Sequence, residues 1–311
     1  MTSINLEEAL KEYLDFRADL GIKPSTTKNL QTCVCWMMRE FPGETLLTQE
    51  MLDAWCQHRP QEEWNTFAGR VMPLRAFIRH WEARGYGPYT LPEIEKQKKY
   101  PHHDLMTAEQ IQEYFQAADN LSDHYLEEAE RCHGQKRSVQ LRIKAIIIPV
   151  SSRLPFSCGL RPNETRLLLK DSVNLEKGYI HLTVSEVKGY RERLVAIHPT
   201  MIPMMTACDR YLDEIIPGRR FFFSSMDNTA FSSTWFRDIF RRCWPEEPGQ
   251  HHVTYDLRHN YAIMNLARIK DSKTEQKDLY AISSSMGHTS LKATQYYIHM
   301  TPRYFNIYED D

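Results

Sequence analysis

The sequence predicts a mainly α-helical protein with a small antiparallel β-sheet, arranged as two domains. Three observations favour this fold class. Residues 1–90 place apolar side chains at helical spacing in four successive stretches. A polar stretch with prolines then separates them from a second helical region. Inside that region, residues 173–197 combine β-rich runs with glycine turns, which is typical of short antiparallel strands.

The first domain is predicted to be a small bundle of four helices. The first helix is predicted from Leu6 to a stop at Gly21, and Ser25 or Thr26 is predicted to cap the second. Thr48 is predicted to cap the third helix, and the fourth is predicted over about residues 62–83. The fourth helix contains Pro73, which has no N–H group to donate and crowds the preceding turn. We therefore expect Pro73 to kink or split that helix.

Residues 91–104 are expected to form a linker, because the stretch is polar, basic and bounded by prolines. Lys96, Lys98 and Lys99 cluster within it. A solvated connector and a strap that lies along phosphate groups both fit this composition.

The second domain covers residues 105–311 and is predicted to be helical around the small sheet. Thr107-Ala-Glu-Gln110 is a capping box, so a helix begins there. A long apolar helix follows over about residues 138–154. Two or three short strands come next, with runs at Tyr179–Val184 and Arg193–Ile197. The remainder of the chain returns to helices.

Composition excludes several classes of protein. Charged residues are 26% and hydrophobic residues 41%, which argues against wholesale disorder. No apolar run approaches the roughly 20 residues of a membrane helix, and the polar, acidic N-terminus is unlike a signal peptide. We therefore expect a cytoplasmic protein. The net charge of −2 gives no hint of nucleic-acid binding. Seven cysteines without a C-x-x-C pair predict reduced thiols rather than disulfides or a zinc site.

Two stretches in the second half place a cation at a turn. The first, Gly159-Leu-Arg161-Pro-Asn-Glu164, puts an arginine between two apolar helices, where Pro162 suits the first position of the second helix. The second puts Lys188 at a tight turn between the two predicted strands. Each signal is weak alone, because exposed arginines and turn lysines are common.

Two further stretches carry aromatic and basic side chains at helix ends. Tyr255 and Arg258 are three residues apart, so both face the same side of a helix start. Gly287 ends another helix and is followed by His288, and Tyr297 comes nine residues after that histidine.

Together the four stretches resemble the tyrosine recombinase, or phage integrase, family. The family pattern is a Gly-Leu-Arg-x-x-Glu box, a β-hairpin lysine, a His-x-x-Arg-His box, and a Leu-Gly-His box with a tyrosine nine residues later. The residues that fall on these positions in order are Arg161, Lys188, Arg258, His288 and Tyr297. The match spans residues 159–299, and residues 1–90 resemble the helical, SAM-like core-binding domain of the family more loosely.

Two positions depart from the family pattern. Met286 replaces the usual leucine, which exchanges one apolar side chain for another. Tyr255 stands where the family usually has a histidine that assists proton transfer. A phenol with an ordinary pKa of about 10 is a poor base at neutral pH. We interpret Tyr255 as a contact to the phosphate or the nucleophile.

The resemblance implies a transesterification on DNA. Tyr297 attacks the phosphodiester and forms a 3′-phosphotyrosine link. Arg161 and Arg258 clamp the phosphoryl oxygens, since guanidinium groups bind phosphate bidentately and stay charged. His288 donates to the same oxygens, and Lys188 protonates the departing 5′ hydroxyl. The cations take the place of a metal, so neither a metal nor another cofactor is expected. Tyr296 is the rival nucleophile, and the family spacing favours its neighbour.

The resemblance also implies an architecture and partners. Residues 1–90 and 105–311 are expected to clamp duplex DNA at core recombination sites, joined by the linker. Strand exchange in the family requires a homotetramer on two synapsed DNA sites. A partner recombinase or a directionality factor is compatible with this arrangement. No membrane association is expected, and the protein would work at the nucleoid.

Two alternative functions stay open. A type IB topoisomerase uses a similar set of arginines and a tyrosine to nick and reseal one strand. A catalytically idle DNA-binding accessory protein would tolerate the departure at Tyr255. The sequence also leaves open whether the biological task is integration, excision, inversion or the resolution of chromosome dimers.

Overall fold

The computed structural model describes residues 3–95, 97, 105–183, 192–244, 252–269 and 275–287. The chain divides into two compact units, Met1–Pro101 and His102–Asp311. The described part is mostly helical and contains one three-stranded antiparallel sheet, so the predicted fold class is confirmed. No described helix is long and apolar enough to cross a membrane.

The first unit contains four helices around one apolar core. They are α1 (Leu6–Asp19), α2 (Pro24–Glu40), α3 (Gln49–Trp55) and α4 (Trp64–Glu82). Thr48 caps α3 as predicted, and its hydroxyl accepts from the N–H of Met51 at 3.2 Å. The second helix begins at Pro24, before the two predicted caps, because proline at the first helical position is preorganised and needs no partner for an N–H. Trp55, Phe77 and Trp81 pack in the core.

Pro73 does not split α4, which runs continuously across it. A proline deprives the carbonyl four residues earlier of its helical hydrogen bond, and here that residue is Gly69. The thiol of Cys33 lies 4.0 Å from the Gly69 carbonyl and donates to it. A side chain of α2 therefore replaces part of the interaction that the proline removes.

The second unit places helices around the sheet. The elements in order are α5 (Ala108–Arg131), α6 (Gln135–Ser157), α7 (Pro162–Arg166), a 3₁₀ turn (Lys170–Ser172), β1 (Val173–Asn174), β2 (Tyr179–Leu182), β3 (Arg193–Ala196), α8 (Met201–Ile215), α9 (Trp235–Cys243), α10 (Asp256–Ile269) and α11 (Glu275–Ser285). The capping box at Thr107 is present, and α5 begins directly after it. The helix predicted over 138–154 is α6, which is longer at both ends.

The strands pair in the order β1-β2-β3, with Ile180 opposite Val195 and Leu182 opposite Arg193. Opposed residues in an antiparallel pair share one face. The face that carries these four side chains packs against α6 and α8, whereas Leu194 between them is 63% exposed. An arginine therefore occupies the buried side of β3.

Separate apolar contacts hold α10 and α11 together, through Ala262, Ile263 and Leu266 on one helix and Ile282 with Met286 on the other side. This packing fixes the end of α11 beside the middle of α10. All seven cysteines lie in the described part of the chain and are free thiols, as predicted.

Candidate active site

Arg161 is presented by a glycine turn between α6 and α7. Gly159 has a φ of +66°, and a Cβ at this position would lie 2.5 Å from the ring of Tyr261. Only glycine combines that backbone with so close an aromatic neighbour. Arg161 is the N-cap residue of α7, and Pro162 is the first helical residue, as the sequence predicts.

The carboxylate of Glu164 holds Arg161 from two sides. Its Oε1 accepts from Nη1 of Arg161 at 2.7 Å, and its Oε2 accepts from the Arg161 backbone N–H at 2.8 Å. Nη2 of Arg161 also lies 3.4 Å from the carbonyl of Gly287 and donates to it. The Arg161 side chain remains 20% exposed. It is thus a positioned cation that still reaches the surface.

Arg258 occupies the interior of the same cluster. The side chain is fully buried, with Nη1 donating to the carbonyl of Gly159 and Nη2 donating to the carbonyl of Met286. Nη1 also lies 3.9 Å from Glu164. Arg258 therefore ties the turn at the end of α6 to the turn at the end of α11. Burial, together with the charge of Arg161, lowers the pKa of Arg258 from its usual value.

Tyr255 lies at the surface of the cluster, just before α10 begins. It is 37% exposed, and its ring centre is 5.0 Å from that of His259. The Arg258 guanidinium lies 6.0 Å from the same ring centre. The hydroxyl of Tyr255 lies near enough to Arg161 to interact with it electrostatically. Tyr255 thus lies beside both arginines.

A fourth charged side chain completes the cluster. Arg193 donates from Nη2 to Oε2 of Glu164 at 2.7 Å and from Nε to the carbonyl of Ser285 at 2.7 Å. Sequence reasoning missed Arg193 as a site residue, and it noted Glu164 only as part of a motif. A signal for Arg193 existed, because it shares the inward face of β3 with Val195, and an arginine on a buried face needs an acidic partner.

The charges in this cluster do not cancel. Three guanidinium groups, from Arg161, Arg193 and Arg258, surround the single carboxylate of Glu164, so these four groups carry a net charge of +2. Burial opposes ionisation of Glu164, but the hydrogen bond and charge of Arg193, followed by the charge of Arg161, hold the pKa of Glu164 below its usual value. Burial likewise disfavours the charged form of Arg161. The charge and hydrogen bond of Glu164 outweigh this effect and raise the pKa of Arg161. The site is therefore poised to receive an anion.

The structure brings together three of the six predicted site residues, Arg161, Tyr255 and Arg258. Lys188, His288 and Tyr297 lie outside the described residues, as does the rival Tyr296. Within the described ranges, no cluster of His, Cys, Asp and Glu side chains is arranged to hold a metal ion.

The profile of the phage integrase family matches residues 104–303, about two thirds of the chain. Among characterised sequences, the chain is 26% identical to tyrosine recombinase XerC of Actinobacillus succinogenes, over 95% of this chain and 93% of that one. It is 25% identical to tyrosine recombinase XerC of Chlorobaculum parvum, over 66% of this chain and 58% of the relative. It is 28% identical to tyrosine recombinase XerA of Thermococcus kodakarensis, over 51% and 55%. The chain thus spans little more than half the length of these last two relatives.

Solved structures show the same fold. A lambda integrase tetramer bound to a Holliday junction matches with a TM-score of 0.62 at 16% identity, over 95% of this chain and 78% of that chain. The XerH site-specific recombinase bound to difH substrate in a pre-cleavage complex matches with a TM-score of 0.55 at 17% identity, over 81% and 67%.

Proposed function

Because this chain belongs to the phage integrase family, we propose that it is a site-specific DNA recombinase that cleaves and rejoins strands through a 3′-phosphotyrosine intermediate. One observation carries the proposal. Arg161 and Arg258, from separate stretches of the sequence, flank a buried carboxylate with an excess of positive charge, and Tyr255 lies beside them. A phosphodiester is the anion that such a site in this family would receive.

The reaction assigns a distinct task to each side chain. The partly exposed guanidinium of Arg161 binds a non-bridging oxygen, where negative charge grows in the transition state. Arg258 adds its charge from beneath and keeps both turns in place. The hydroxyl of Tyr255 offers a further polar contact beside Arg161.

The covalent step rests on residues assigned by family resemblance. The Tyr297 oxygen loses its proton to solvent and forms a bond to phosphorus as the bond to the 5′ oxygen breaks. Lys188 gives a proton to that departing oxygen, and His288 donates to the phosphoryl oxygens. The phosphotyrosine bond conserves the energy of the cleaved bond. A 5′ hydroxyl of a second strand then attacks the phosphorus and releases Tyr297.

The DNA-binding surface extends beyond the scissile phosphate. A cavity of about 430 Å³ beside Tyr255 is lined by the exposed Arg237 and Arg241 of α9. These side chains suit phosphates next to the cleaved one. Residues 1–90 are proposed to bind the same duplex, with residues 91–104 as the linker. The working form is proposed to be a homotetramer on two synapsed duplexes.

Covalent trapping tests the proposed function. The purified chain is incubated with nicked duplex fragments taken from the DNA that flanks its own gene, and then denatured. Protein-linked DNA is recovered and sequenced, with Tyr297→Phe and Tyr296→Phe in parallel. We expect an adduct that only Tyr297→Phe abolishes. DNA binding without any adduct would contradict cleavage and favour an idle accessory protein. An adduct that reseals without a second site would favour the topoisomerase alternative.

Tyr255→His is expected to keep or raise the rate of adduct formation. The imidazole has an ordinary pKa of about 6.5, so it exchanges protons near neutral pH far more readily than the phenol. Tyr255→Phe is the matched control, because it keeps the ring contact with His259 and removes only the hydroxyl near Arg161. A tenfold or larger loss with histidine would show that the phenol itself is required.

A further inference from the structure

Arg193 is a buried cation that reaches three parts of the second unit at once. It begins β3, and its guanidinium contacts Glu164 of α7 and the carbonyl of Ser285 at the end of α11. Its side chain is 4% exposed and that of Glu164 is 3% exposed. Arg193 is thus out of reach of a phosphate at the surface, so its part in the chemistry is indirect.

Gly287 is shaped to admit this arginine. The residue has a φ of +64°, and a Cβ there would lie 2.8 Å from Nη1 of Arg193. The turn after α11 therefore rests directly on the guanidinium. Its carbonyl in turn accepts from Arg161 at 3.4 Å. Arg193 and Arg161 hold the same turn from two sides, and His288 is the next residue along the chain.

We propose that Arg193 is a positioning residue of the recombination site, which locks Glu164 and Arg161 against the turn that precedes His288. The inference rests on the proposed function. Arg193 would thus support the residues that bind the phosphate without contacting DNA itself. It also links the site to the start of β3, five residues after Lys188 in the sequence.

The geometry explains why Glu164 cannot hold the site alone. Its Oε2 is shared by the Arg161 backbone and Arg193, and Arg258 stands 3.9 Å away. Without Arg193, the carboxylate loses a charged partner and is free to move towards Arg258. The Ser285 carbonyl also loses its donor, and a cavity opens under Gly287. A displacement of about 1 Å at a reacting group costs on the order of 100-fold in rate.

Lysine cannot reproduce this contact. The guanidinium fork donates to a carboxylate and to a carbonyl on different elements through different nitrogens. An ammonium is a compact charge on a flexible stem. We therefore expect Arg193→Lys to retain the contact to Glu164 and to lose the one to Ser285.

The test compares Arg193→Gln and Arg193→Lys with Arg219→Gln. Arg219 is a matched control, because its guanidinium is also fully buried and pairs with Asp209 and Asp213, which take no part in the site. Adduct formation is measured in single turnover on the nicked duplex that wild type cleaves, at a temperature where every variant is folded. We expect a loss of about 100-fold for Arg193→Gln, a smaller loss for Arg193→Lys, and no loss for Arg219→Gln.

A pH profile separates positioning from general destabilisation. The charged groups that face Glu164 are Arg161, Arg193 and Arg258. Removing Arg193 removes the strongest influence that keeps the pKa of Glu164 low, so the carboxyl takes up a proton at higher pH than in wild type. We expect the ratio of Arg193→Gln to wild-type rates to fall further as the pH drops from about 8 to about 5.5. The ratio cancels groups that titrate in both proteins.

A double-mutant cycle in thermal unfolding tests the contact without DNA. Arg193→Gln should lower the midpoint strongly in wild type and weakly in Glu164→Gln, because the partner has already gone. Additive shifts, or an Arg193→Gln rate equal to that of Arg219→Gln, would overturn the proposal. If the wild-type protein forms no adduct, the proposed function is contradicted. The double-mutant cycle would still measure the coupling between Arg193 and Glu164.

Discussion

Arg161→Ala is expected to lower the rate of covalent adduct formation by about 100- to 1,000-fold, with DNA affinity nearly unchanged. Arg161 is the arginine of the cluster that combines a fixed position with exposure to solvent. Its removal takes away the charge that stabilises the transition state, whereas duplex binding is spread over many phosphate contacts. Rates come from single-turnover trapping, and affinity from a mobility shift at one fixed salt concentration.

Arg166→Ala is the matched control for this result. Arg166 lies on the same short helix, but its guanidinium binds the Asn163 side chain and the Phe231 carbonyl instead of Glu164. We expect its cleavage rate to remain within a few-fold of wild type. Near-normal cleavage by Arg161→Ala, or an equal loss for both variants, would contradict the assignment of Arg161 to the phosphate.

Arg258 differs from Arg161 in a way that the motif alone does not reveal. Both residues belong to the predicted phosphate clamp, yet Arg258 is fully buried and spends both of its Nη groups on carbonyls. Removing a buried cation from such bonds leaves the carbonyls of Gly159 and Met286 without donors, which destabilises the fold as well as the site. The rate of an Arg258 variant therefore reflects both the lost charge and the lost stability of the fold. The rate of the Arg161 variant reports mainly the lost charge at the surface.

The features that could be predicted from the sequence are local ones, such as helix caps, which depend on residues close together along the chain. The capping box at Thr107 and the cap at Arg161 depend on residues three positions away, so their signals are local. The N-cap of α2 is Lys23, two or three residues before the predicted caps, because Pro24 is a stronger start signal here than a hydroxyl cap.

The interior of the site depends on partners that are far away in sequence. Arg258 binds a carbonyl 99 residues earlier, and Arg193 binds one 92 residues later. No periodicity specifies such pairs, since only the packing of α6, β3 and α11 brings them together. Family resemblance predicts a catalytic role for Arg258 but does not predict that its side chain is buried. Arg193 carried only the weak signal of a cation on the inward face of a strand.

Gly159→Ala is expected to lower the free energy of unfolding by about 2–4 kcal/mol and to slow adduct formation at least tenfold. An L-residue at a φ of +66° is strained, and the new Cβ would lie 2.5 Å from two carbon atoms of the Tyr261 ring. An aromatic ring in a packed site cannot yield as the end of a flexible chain can. The backbone must shift instead, and the Gly159 carbonyl that holds Arg258 shifts with it.

Gly218→Ala separates the two causes. Gly218 has a φ of +69°, and a Cβ there meets nothing within 4 Å, so this variant carries the backbone strain without the collision. Chemical denaturation of both proteins gives the difference in stability, and trapping gives the rates. If Gly159→Ala proves no worse than Gly218→Ala in either measurement, the Tyr261 contact does not set the Arg161 turn. A larger loss of both stability and rate would instead show that Tyr261 of α10 supports the turn and keeps the two arginines in position. A shift of the Gly159 backbone displaces Arg161, which follows in the chain. It also displaces Arg258, which donates to the Gly159 carbonyl.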